Sequence, residues 1–324
     1  MMDQIIQQLN KSNHVLIASH TNPDGDAIGS LLAVGLALDF LNKKIVLYNE
    51  SPIPAVYRFL PFIELIEHEI KDLSVFDTAV ILDCGNIQRI GRSAEIISRI
   101  PVIINIDHHI TNTNFGTCRL VDASACSTAE ITYGIIKKMG IRINHAIATS
   151  IYTGILTDTG SFRFSNTNLN AFTICEEMIA SGVKPYEVAR HVYGTYSLGR
   201  IRLLNLALDS IEISENGKLS MMTITRDMIE ETGTQPEDVD GLINYVRRIE
   251  DVKLAVLIHE DKMNSHSSNG LKNFHVSLRS NGSVDVAEIA TSFGGGGHSS
   301  AAGFDTATTL DALKAKILGF SEKL

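Results

Sequence analysis

The sequence contains no tryptophan, and aromatic residues make up only 6% of the chain. Lysine and arginine form no cluster, and the formal net charge is -9. A protein that holds long DNA or RNA usually has a basic face and aromatic side chains on which bases stack. The composition therefore argues against long nucleic acid as a partner. It favours a small or short anionic substrate held by a few placed cations.

The four cysteines are widely spaced and include no C-x-x-C pair; they are Cys84, Cys118, Cys126 and Cys175. This spacing predicts reduced, mostly buried thiols and argues against a zinc site built from thiolates. No apolar run approaches the roughly 18 residues of a membrane span. The polar N-terminus lacks the basic-then-apolar order of a signal peptide. We therefore expect a cytoplasmic protein with no membrane partner.

The first half of the sequence alternates short apolar runs with helix-like segments, a pattern that predicts a parallel sheet in an α/β domain. Strands are predicted at residues 15–18, 45–48, 79–82 and 102–106. Helices are predicted at residues 27–40, 87–100, 127–139, 144–156, 169–181 and 185–193. Ser127, with Glu130 in the capping-box position, and Asn144 are expected to cap two of these helices.

The length of 324 residues suggests two domains. We predict an α/β domain with flanking helices at residues 1–195, a helical connector at 196–210 and a smaller α/β domain at 211–324. The second domain is predicted to contain strands at residues 219–225, 252–259 and 274–279, a loop at 261–272, and helices at 284–293 and 308–324.

Three predicted strands of the first domain run into carboxylates and imidazoles, and one more acid follows the helix predicted at 144–156. Ligands of open parallel sheets bind outside the carboxyl ends of the strands. These side chains are therefore expected to meet at one edge of the sheet. In chain order they are His20, Asp24, Asp26, Asp83, Asp107, His108, His109 and Asp158.

Carboxylates clustered without lysine or arginine repel one another, and bound cations relieve that repulsion. Oxygen ligands with a few imidazoles suit Mn²⁺, with Mg²⁺ as the alternative. Two ions about 3.5–4 Å apart, bridged by a carboxylate, can hold a phosphate and activate a water. Taken singly, Asp24 and Asp26 also fit a turn and a helix cap, and Asp83 fits a strand end. The joint pattern favours a two-metal phosphoesterase site.

These motifs resemble the four motifs of the DHH phosphoesterase superfamily: His20-x-x-x-Asp24-x-Asp26, Asp83-Cys84-Gly85, Asp107-His108-His109 and Asp158. The C-terminal part resembles the first type of DHH-associated domain, through residues 277–280 and 293–298. Together the two resemblances cover nearly the whole chain. The length and layout are most similar to the bacterial oligoribonuclease and pAp phosphatase branch, the nanoRNases.

The resemblance implies a role for each motif residue. One Mn²⁺ would be bound by His20, Asp24 and Asp83, and a second by Asp26, Asp83, His108 and Asp158, with Asp83 as the bridge. His109 would lie beside the phosphate and stabilise its charge. Asp107 would orient the neighbouring histidines.

In the second domain, the resemblance implies that the substrate is bound by Arg279, Ser280, Gly294, Gly295, Gly296, Gly297 and His298. Glycines allow a backbone to approach a ligand closely, although a glycine run also fits a flexible linker. Arg279 suits bidentate binding of a phosphate, although it also fits a surface salt bridge. Near Asp158, Arg163 and Asn166 fit either a substrate cleft or a packing role.

The sequence thus predicts an enzyme that hydrolyses short oligoribonucleotides or small nucleotides such as pAp or linear pApA. A RecJ-like single-strand exonuclease, a family II inorganic pyrophosphatase and a cyclic-dinucleotide phosphodiesterase are the enzymatic alternatives. A nucleotide-binding regulator without activity is disfavoured because the set of ligands is complete. Exposed helices of the first domain allow a homodimer.

Overall fold

The computed structural model describes residues 1–70, 72–194, 196–239, 241–261 and 271–324. The chain divides into two compact units, Met1–Thr195 and Tyr196–Leu324. Both units are mixed α/β, so the predicted fold class is confirmed. The functional division into a catalytic domain, a connector and a substrate-binding domain stays a prediction. Among the described helices, none is both long and apolar enough to cross a membrane.

The first unit is built on a sheet of six parallel strands in the order β3-β2-β1-β4-β5-β6. Its strands are β1 (His14–Ser19), β2 (Lys44–Tyr48), β3 (Ile66–Glu67), β4 (Thr78–Leu82), β5 (Val102–Asp107) and β6 (Cys118–Val121). The strand order reverses between β1 and β4, which is the switch point where open α/β sheets bind ligands. The four predicted strands are all present.

The described α-helices of this unit are α1 (Met2–Lys11), α2 (Gly25–Phe40), α3 (Ala94–Ile97), α4 (Thr128–Lys138), α5 (His145–Asp158), α6 (Leu169–Ala180) and α7 (Pro185–Tyr193). Ser127 caps α4 by accepting from the Glu130 N–H at 3.2 Å, and Asn144 caps α5 by accepting from the Ile147 N–H at 3.0 Å. The Glu130 carboxylate accepts from Cys126 N–H instead of Ser127 N–H, so the capping box is displaced by one residue.

Helices α2 and α5 cross closely because glycines line the contact. A Cβ atom on Gly29 would lie 2.4 Å from the Ser150 carbonyl oxygen and 3.1 Å from the Gly154 backbone nitrogen, both in α5. No side chain larger than hydrogen fits at such distances without a shift of the backbone. The crossing brings the first turn of α2, which carries Asp26, next to α5, which ends at Asp158.

Two helix predictions in the first unit need correction. Residues 87–100 do not form one helix; a 3₁₀ turn at Ile87–Ile90 is followed by the short α3. Gly91 between them has a φ of +102°, which no helix accommodates. Helix α5 extends two residues beyond the predicted end, so that Asp158 is its last residue.

The second unit has a six-stranded sheet in the order β11-β12-β10-β9-β8-β7, in which the β8–β9 pairing is parallel and the other described pairings are antiparallel. Its strands are β7 (Glu212–Ile213), β8 (Leu219–Ile224), β9 (Leu254–Glu260), β10 (Lys272–Ser280), β11 (Gly296–His298) and β12 (Ala301–Thr308). Its helices are α8 (Leu198–Asp209), α9 (Arg226–Thr232), α10 (Ile243–Arg247), α11 (Val286–Ser292) and α12 (Leu310–Leu318).

One prediction changes in the second unit. The helix predicted at 308–324 ends at Leu318 and continues as a 3₁₀ turn, Gly319–Lys323. The glycine run is an ordered part of the sheet, since β11 begins within it. Most of the loop predicted at 261–272 lies outside the described residues, which omit 262–270.

Candidate metal centre

The switch point of the parallel sheet places two of the predicted motifs side by side. β1 and β4 are neighbours, with Ser19 paired to Leu82, so His20 and Asp83 directly follow adjacent strands. β5 is the next strand and ends at Asp107, with His108 and His109 behind it. The parallel topology therefore gathers these side chains at one edge, as predicted.

The side chains at this edge form three groups that could each hold a metal ion. The ligand atoms within each group lie within 4.8 Å of one another. The groups are His20 with Asp24 and Asp83; Asp83 with His108 and His109; and Asp26 with His108 and Asp158. Asp83 and His108 each belong to two groups, which is the arrangement that a pair of neighbouring ions needs.

His20 presents its Nε2 atom to Asp83, at 3.4 Å from the Asp83 Oδ2 atom. Its other ring nitrogen, Nδ1, donates to the Thr21 carbonyl oxygen at 2.8 Å. This hydrogen bond fixes the tautomer and leaves Nε2 as the free lone pair. Asp24 is exposed and caps α2, accepting from the N–H groups of Asp26 and Ala27, both at 3.0 Å.

Asp83 lies at the centre of the site and is only 1% exposed. Its backbone has a φ of +54°, a left-handed conformation that is costly for a residue other than glycine. Its Oδ1 atom lies 3.7 Å from His108 Nε2 and 3.5 Å from His109 Nδ1, and it accepts from the Thr128 hydroxyl at 3.0 Å. The tight turn thus aims one carboxylate at both sides of the site.

Asp26 is almost completely buried and is held by the N-terminus of α4. Its two carboxylate oxygens accept from the Thr128 N–H at 2.6 Å and the Ala129 N–H at 2.8 Å. Free N–H groups and the positive end of the helix dipole favour an anion at this position. Helix α4 therefore orients the Asp26 carboxylate within the site.

The two histidines of the Asp107-His108-His109 motif contact different carboxylates. The Asp107 carboxylate is fully buried, accepts from His109 Nδ1 at 2.7 Å, and accepts from the Asn112 amide at 2.6 Å. His109 is therefore oriented by Asp107. His108 Nε2 lies 3.6 Å from the Asp158 Oδ2 atom, which brings the last motif to the same group.

Asp158 is oriented by Asn166. The Asn166 amide donates to the Asp158 Oδ2 atom and to the Asp158 carbonyl oxygen, both at 3.1 Å, and to the Cys126 carbonyl oxygen at 2.7 Å. Asn166 thus holds the end of α5 against the segment before α4. Arg163, the other residue predicted near Asp158, is exposed and donates through Nε to the Gly160 carbonyl oxygen at 2.5 Å.

The electrostatics of the site indicate a deficit of positive charge. Burial, together with the charges of neighbouring aspartates, raises the pKa of Asp26 and of Asp158 well above the usual 3.8. Burial opposes the ionisation of Asp83, but the nearby histidines hold its pKa well below that of an ordinary aspartate. Burial also opposes the protonation of His109, but Asp107 and Asp83 raise its pKa to about 9.

These residues fit bound divalent cations. Four aspartates and three histidines supply oxygen and imidazole donors, and no thiolate belongs to these groups. Cations would neutralise the carboxylates that otherwise retain protons, because an opposite charge nearby favours the ionised form. A hard or borderline ion such as Mn²⁺ or Mg²⁺ suits these donors.

The predicted substrate-binding residues lie in the second unit. Arg279 is half-buried on β10 and donates to the Leu278 carbonyl oxygen at 2.9 Å. Ser280 is buried, and its hydroxyl accepts from the N–H groups of Gly282 and Val284 in the following turn. His298 pairs with Ala301 in the sheet, and its side chain lies outside the described part of the chain.

Alternate glycines of the run pack against β12. A Cβ atom on Gly295 would lie 2.2 Å from the Gly303 carbonyl oxygen, and one on Gly297 would lie 2.5 Å from the Ala301 carbonyl oxygen. Around Gly294 and Gly296, the described residues leave open space. The run therefore lies flat on the sheet with one side of its backbone uncovered.

Three supporting residues were missed or undervalued in the sequence. Thr128 donates to Asp26 and Asp83, which are distant in the sequence. Asn112 donates to Asp107, which lies on the other side of a loop. For Asn166 the sequence left open a substrate cleft or a packing role. A signal was available for Thr128 alone, because it follows the predicted cap Ser127 and so offers a free N–H group at a helix N-terminus.

The fold and the donor set define an α/β protein with a candidate binuclear metal centre at the switch point of its parallel sheet. Residues 14–155 match the N-terminal domain of the DHH family, and residues 218–321 match the DHHA1 domain. The chain belongs to the DHH family of phosphoesterases, which confirms the resemblance identified in the sequence.

Two relatives carry the name bifunctional oligoribonuclease and PAP phosphatase NrnA. The protein from Thermus thermophilus is 35% identical over 292 residues, which cover 89% of this chain and 83% of that protein. The protein from Bacillus subtilis is 26% identical over 310 residues, which cover 94% of this chain and 92% of that protein.

A similar solved structure is that of an exopolyphosphatase-related protein from Bacteroides fragilis. The two chains superpose with a TM-score of 0.89 at 26% identity, covering 98% of this chain and 95% of the other.

Proposed function

We propose that this protein is a two-metal phosphoesterase that hydrolyses short oligoribonucleotides and small nucleotides such as pAp or linear pApA. The observation that carries the proposal is the sharing of Asp83 between the group with His20 and the group with His108. A shared carboxylate is what two ions acting on one phosphate require. The names of the two relatives favour these substrates over the other enzymatic alternatives.

The proposed ligands follow the groups seen at the sheet edge. His20, Asp24 and Asp83 would hold one ion, and Asp26, Asp83, His108 and Asp158 would hold the other. We propose Mn²⁺, with Mg²⁺ as the alternative. When bound, the two ions would polarise the phosphate and lower the pKa of the attacking water.

The remaining residues of the site act on the substrate or on the ligands. His109, whose protonated form is favoured by the neighbouring Asp107, would donate a charge-assisted hydrogen bond to a phosphate oxygen. Asp107 would keep the His109 ring in place through the hydrogen bond at Nδ1. Thr128 and Asn166 would orient Asp83 and Asp158, respectively.

The second unit is proposed to bind the nucleotide. Arg279 would pair with a substrate phosphate, and the uncovered backbone at Gly294 and Gly296 would approach the substrate closely. Gly295, Gly297 and His298 complete the proposed binding segment, and Ser280 supports the turn behind Arg279. A location in the cytoplasm and assembly into a homodimer stay predictions.

The test is a comparison of substrates with protein that has been stripped of metal and reloaded with Mn²⁺. The substrates are pAp, pApA, a five-nucleotide RNA, a 24-mer RNA and pyrophosphate. We expect rapid hydrolysis of the first three and slow or no hydrolysis of the others. Preferred cleavage of the 24-mer would contradict the short-substrate proposal.

The Asp83→Ala variant tests the metal centre within the same assay. Because Asp83 belongs to both groups around it, we expect loss of bound Mn²⁺ by elemental analysis. We also expect activity to fall by more than the roughly 100-fold that loss of an outer-shell partner costs. Asp72→Asn is the control, because Asp72 is exposed and its hydrogen-bond donor within the described part of the chain is Ser74. Full activity or full metal content in Asp83→Ala would overturn the proposal.

A further inference from the structure

Arg89 lies in the 3₁₀ turn Ile87–Ile90, six residues after Asp83. Its backbone is fixed to the metal centre, because the Thr21 N–H, next to His20, donates to the Arg89 carbonyl oxygen at 2.7 Å. The turn is capped by Asn86, which accepts from the Gln88 N–H at 3.0 Å, and it is anchored by the fully buried Ile90. The position of Arg89 relative to His20 and Asp83 is therefore set by the fold.

The side chain of Arg89 is exposed and, among the described residues, has no carboxylate within 4.0 Å of its guanidinium. Its neighbour Arg92 differs, since it pairs with Glu50 at 3.0 Å. Arg163, another arginine near the site, already donates to a backbone carbonyl oxygen. Arg89 is thus an arginine of the first unit that is available for an external anion.

The placement of Arg89 follows from the contacts of its loop. Its carbonyl oxygen is hydrogen-bonded to Thr21, the residue after His20. The segment that leads from Asp83 to the turn also lies against His109, since a Cβ atom on Gly85 would be 3.6 Å from the His109 Cβ atom. An exposed arginine on this turn therefore borders the edge where the candidate ligands converge.

We infer that Arg89 is a substrate-binding residue that pairs with a phosphate oxygen on the side of the centre formed by His20 and His109. This inference rests on the proposed function, since it assigns a residue for the phosphate of that reaction. A guanidinium binds two phosphate oxygens in parallel, which a lysine cannot do. It would therefore fix the orientation of the phosphate and stabilise the charge that develops during attack.

The test compares Arg89→Ala and Arg89→Lys with the control Arg92→Ala. Arg92 follows the same turn and is bound to Glu50, so its removal should leave phosphate binding unchanged. For Arg89→Ala we expect kcat/KM with pAp and with dinucleotide RNA to fall by about 10- to 100-fold, the loss typical of one charge-assisted contact. Arg89→Lys should recover part of it, with the Mn²⁺ content and the melting temperature close to those of the unaltered protein.

Binding of inorganic phosphate to the Mn²⁺-loaded protein, measured by calorimetry, gives a second readout that needs no nucleotide. We expect about tenfold weaker binding in Arg89→Ala and unchanged binding in Arg92→Ala. Unchanged phosphate affinity in Arg89→Ala, or equal losses in the two alanine variants, would overturn the inference. If the unaltered protein hydrolyses none of the nucleotides, the proposed function fails, while the phosphate titration still decides the role of Arg89.

Discussion

The two units of this protein assemble their functional residues by different means. In the first unit, six parallel strands end at one edge, and three of the predicted motifs stand directly behind β1, β4 and β5. In the second unit, β8 and β9 are the only parallel pair among the described strands, and Arg279, Ser280 and the segment Gly296–His298 lie on strands that pair antiparallel. Strand ends alone therefore cannot gather them.

In the second unit, the pairing register of the strands places predicted binding residues next to one another. Arg279 of β10 is paired with Ala301 of β12, and Ala301 is paired with His298 of β11. Arg279 and His298 thus occupy one row, two strands apart, or roughly 9–10 Å at ordinary strand spacing. A parallel sheet collects residues that follow its strands, whereas an antiparallel sheet collects residues that lie within them.

The largest expected effect concerns the contact between α2 and α5, which places Asp26 and Asp158 in the site of the first unit. In Gly29→Ala, the new methyl group would lie 2.4 Å from the Ser150 carbonyl oxygen, so α2 and α5 must separate. We expect a loss of about 1–3 kcal/mol in the free energy of unfolding, measured by urea denaturation, and weaker Mn²⁺ binding because Asp26 and Asp158 move apart.

Gly134→Ala is the control for this change, because it also adds a methyl group within a helix. At Gly134 the nearest atom is the flexible Met2 Cε at 3.4 Å. We expect this variant to be more stable by up to about 1 kcal/mol, since alanine is the better helix former. Equal changes in the free energy of unfolding and in Mn²⁺ binding for the two variants would show that the close contact of α2 with α5 does not position the candidate ligands.

Much of the first unit could be predicted because its signals are local. Short apolar runs that stop at an acid or a histidine identified β1, β4 and β5 together with the residues behind them. The error at residues 87–100 arose because the apolar spacing on both sides of Gly91 suggested one helix, while the positive φ of Gly91 interrupts it. The register of the glycine run could not be predicted, because pairing with β12 depends on distant residues.

The supporting residues were harder to predict than the ligands. Thr128 donates to Asp83 over 45 positions of sequence and to Asp26 over 102. No periodicity or spacing reports such contacts, since they exist only when α4 packs beside the switch point. The ligands were found through motifs, whereas the groups that orient them became evident only in the fold.

The second unit can be tested separately from the first through Arg279. If this unit binds the nucleotide and the first unit binds the metal, Arg279→Ala should raise KM for dinucleotide RNA by about tenfold with little change in kcat. The Mn²⁺ content should remain that of the unaltered protein. Steady-state kinetics and elemental analysis of the same preparation measure both.

The control for Arg279→Ala is Arg226→Ala, in the same unit. Arg226 is engaged with Glu230 at 2.7 Å on the surface of α9, and surface pairs of this kind contribute little to stability. We expect wild-type kinetics. A fall in Mn²⁺ content in Arg279→Ala, or a loss of kcat without a change in KM, would show that the two units do not divide the work in this way.

The smallest expected effect is a pH dependence confined to the first site. In metal-free protein, Asp26 and Asp158 have pKa values raised above 3.8, and that of His109 is raised from 6.5 to about 9. At pH values between the ordinary pKa of each of these groups and its raised pKa in the folded protein, the folded state binds more protons than the unfolded chain. The free energy of unfolding therefore falls as pH rises through this range. Asp83 acts in the opposite direction, but only below 3.8, because its pKa is lowered.

Bound cations replace these protons, so their stabilising effect should grow as pH rises. Urea unfolding at about pH 5.5 and about pH 8, with a chelator or with Mn²⁺, measures this difference. Without metal we expect the free energy of unfolding to fall by at least about 1.4 kcal/mol between the two conditions, the equivalent of one pKa unit at one group. With Mn²⁺ the fall should be smaller. Equal pH dependence in the two conditions would mean that the buried carboxylates of the first unit are not the groups that the cation neutralises.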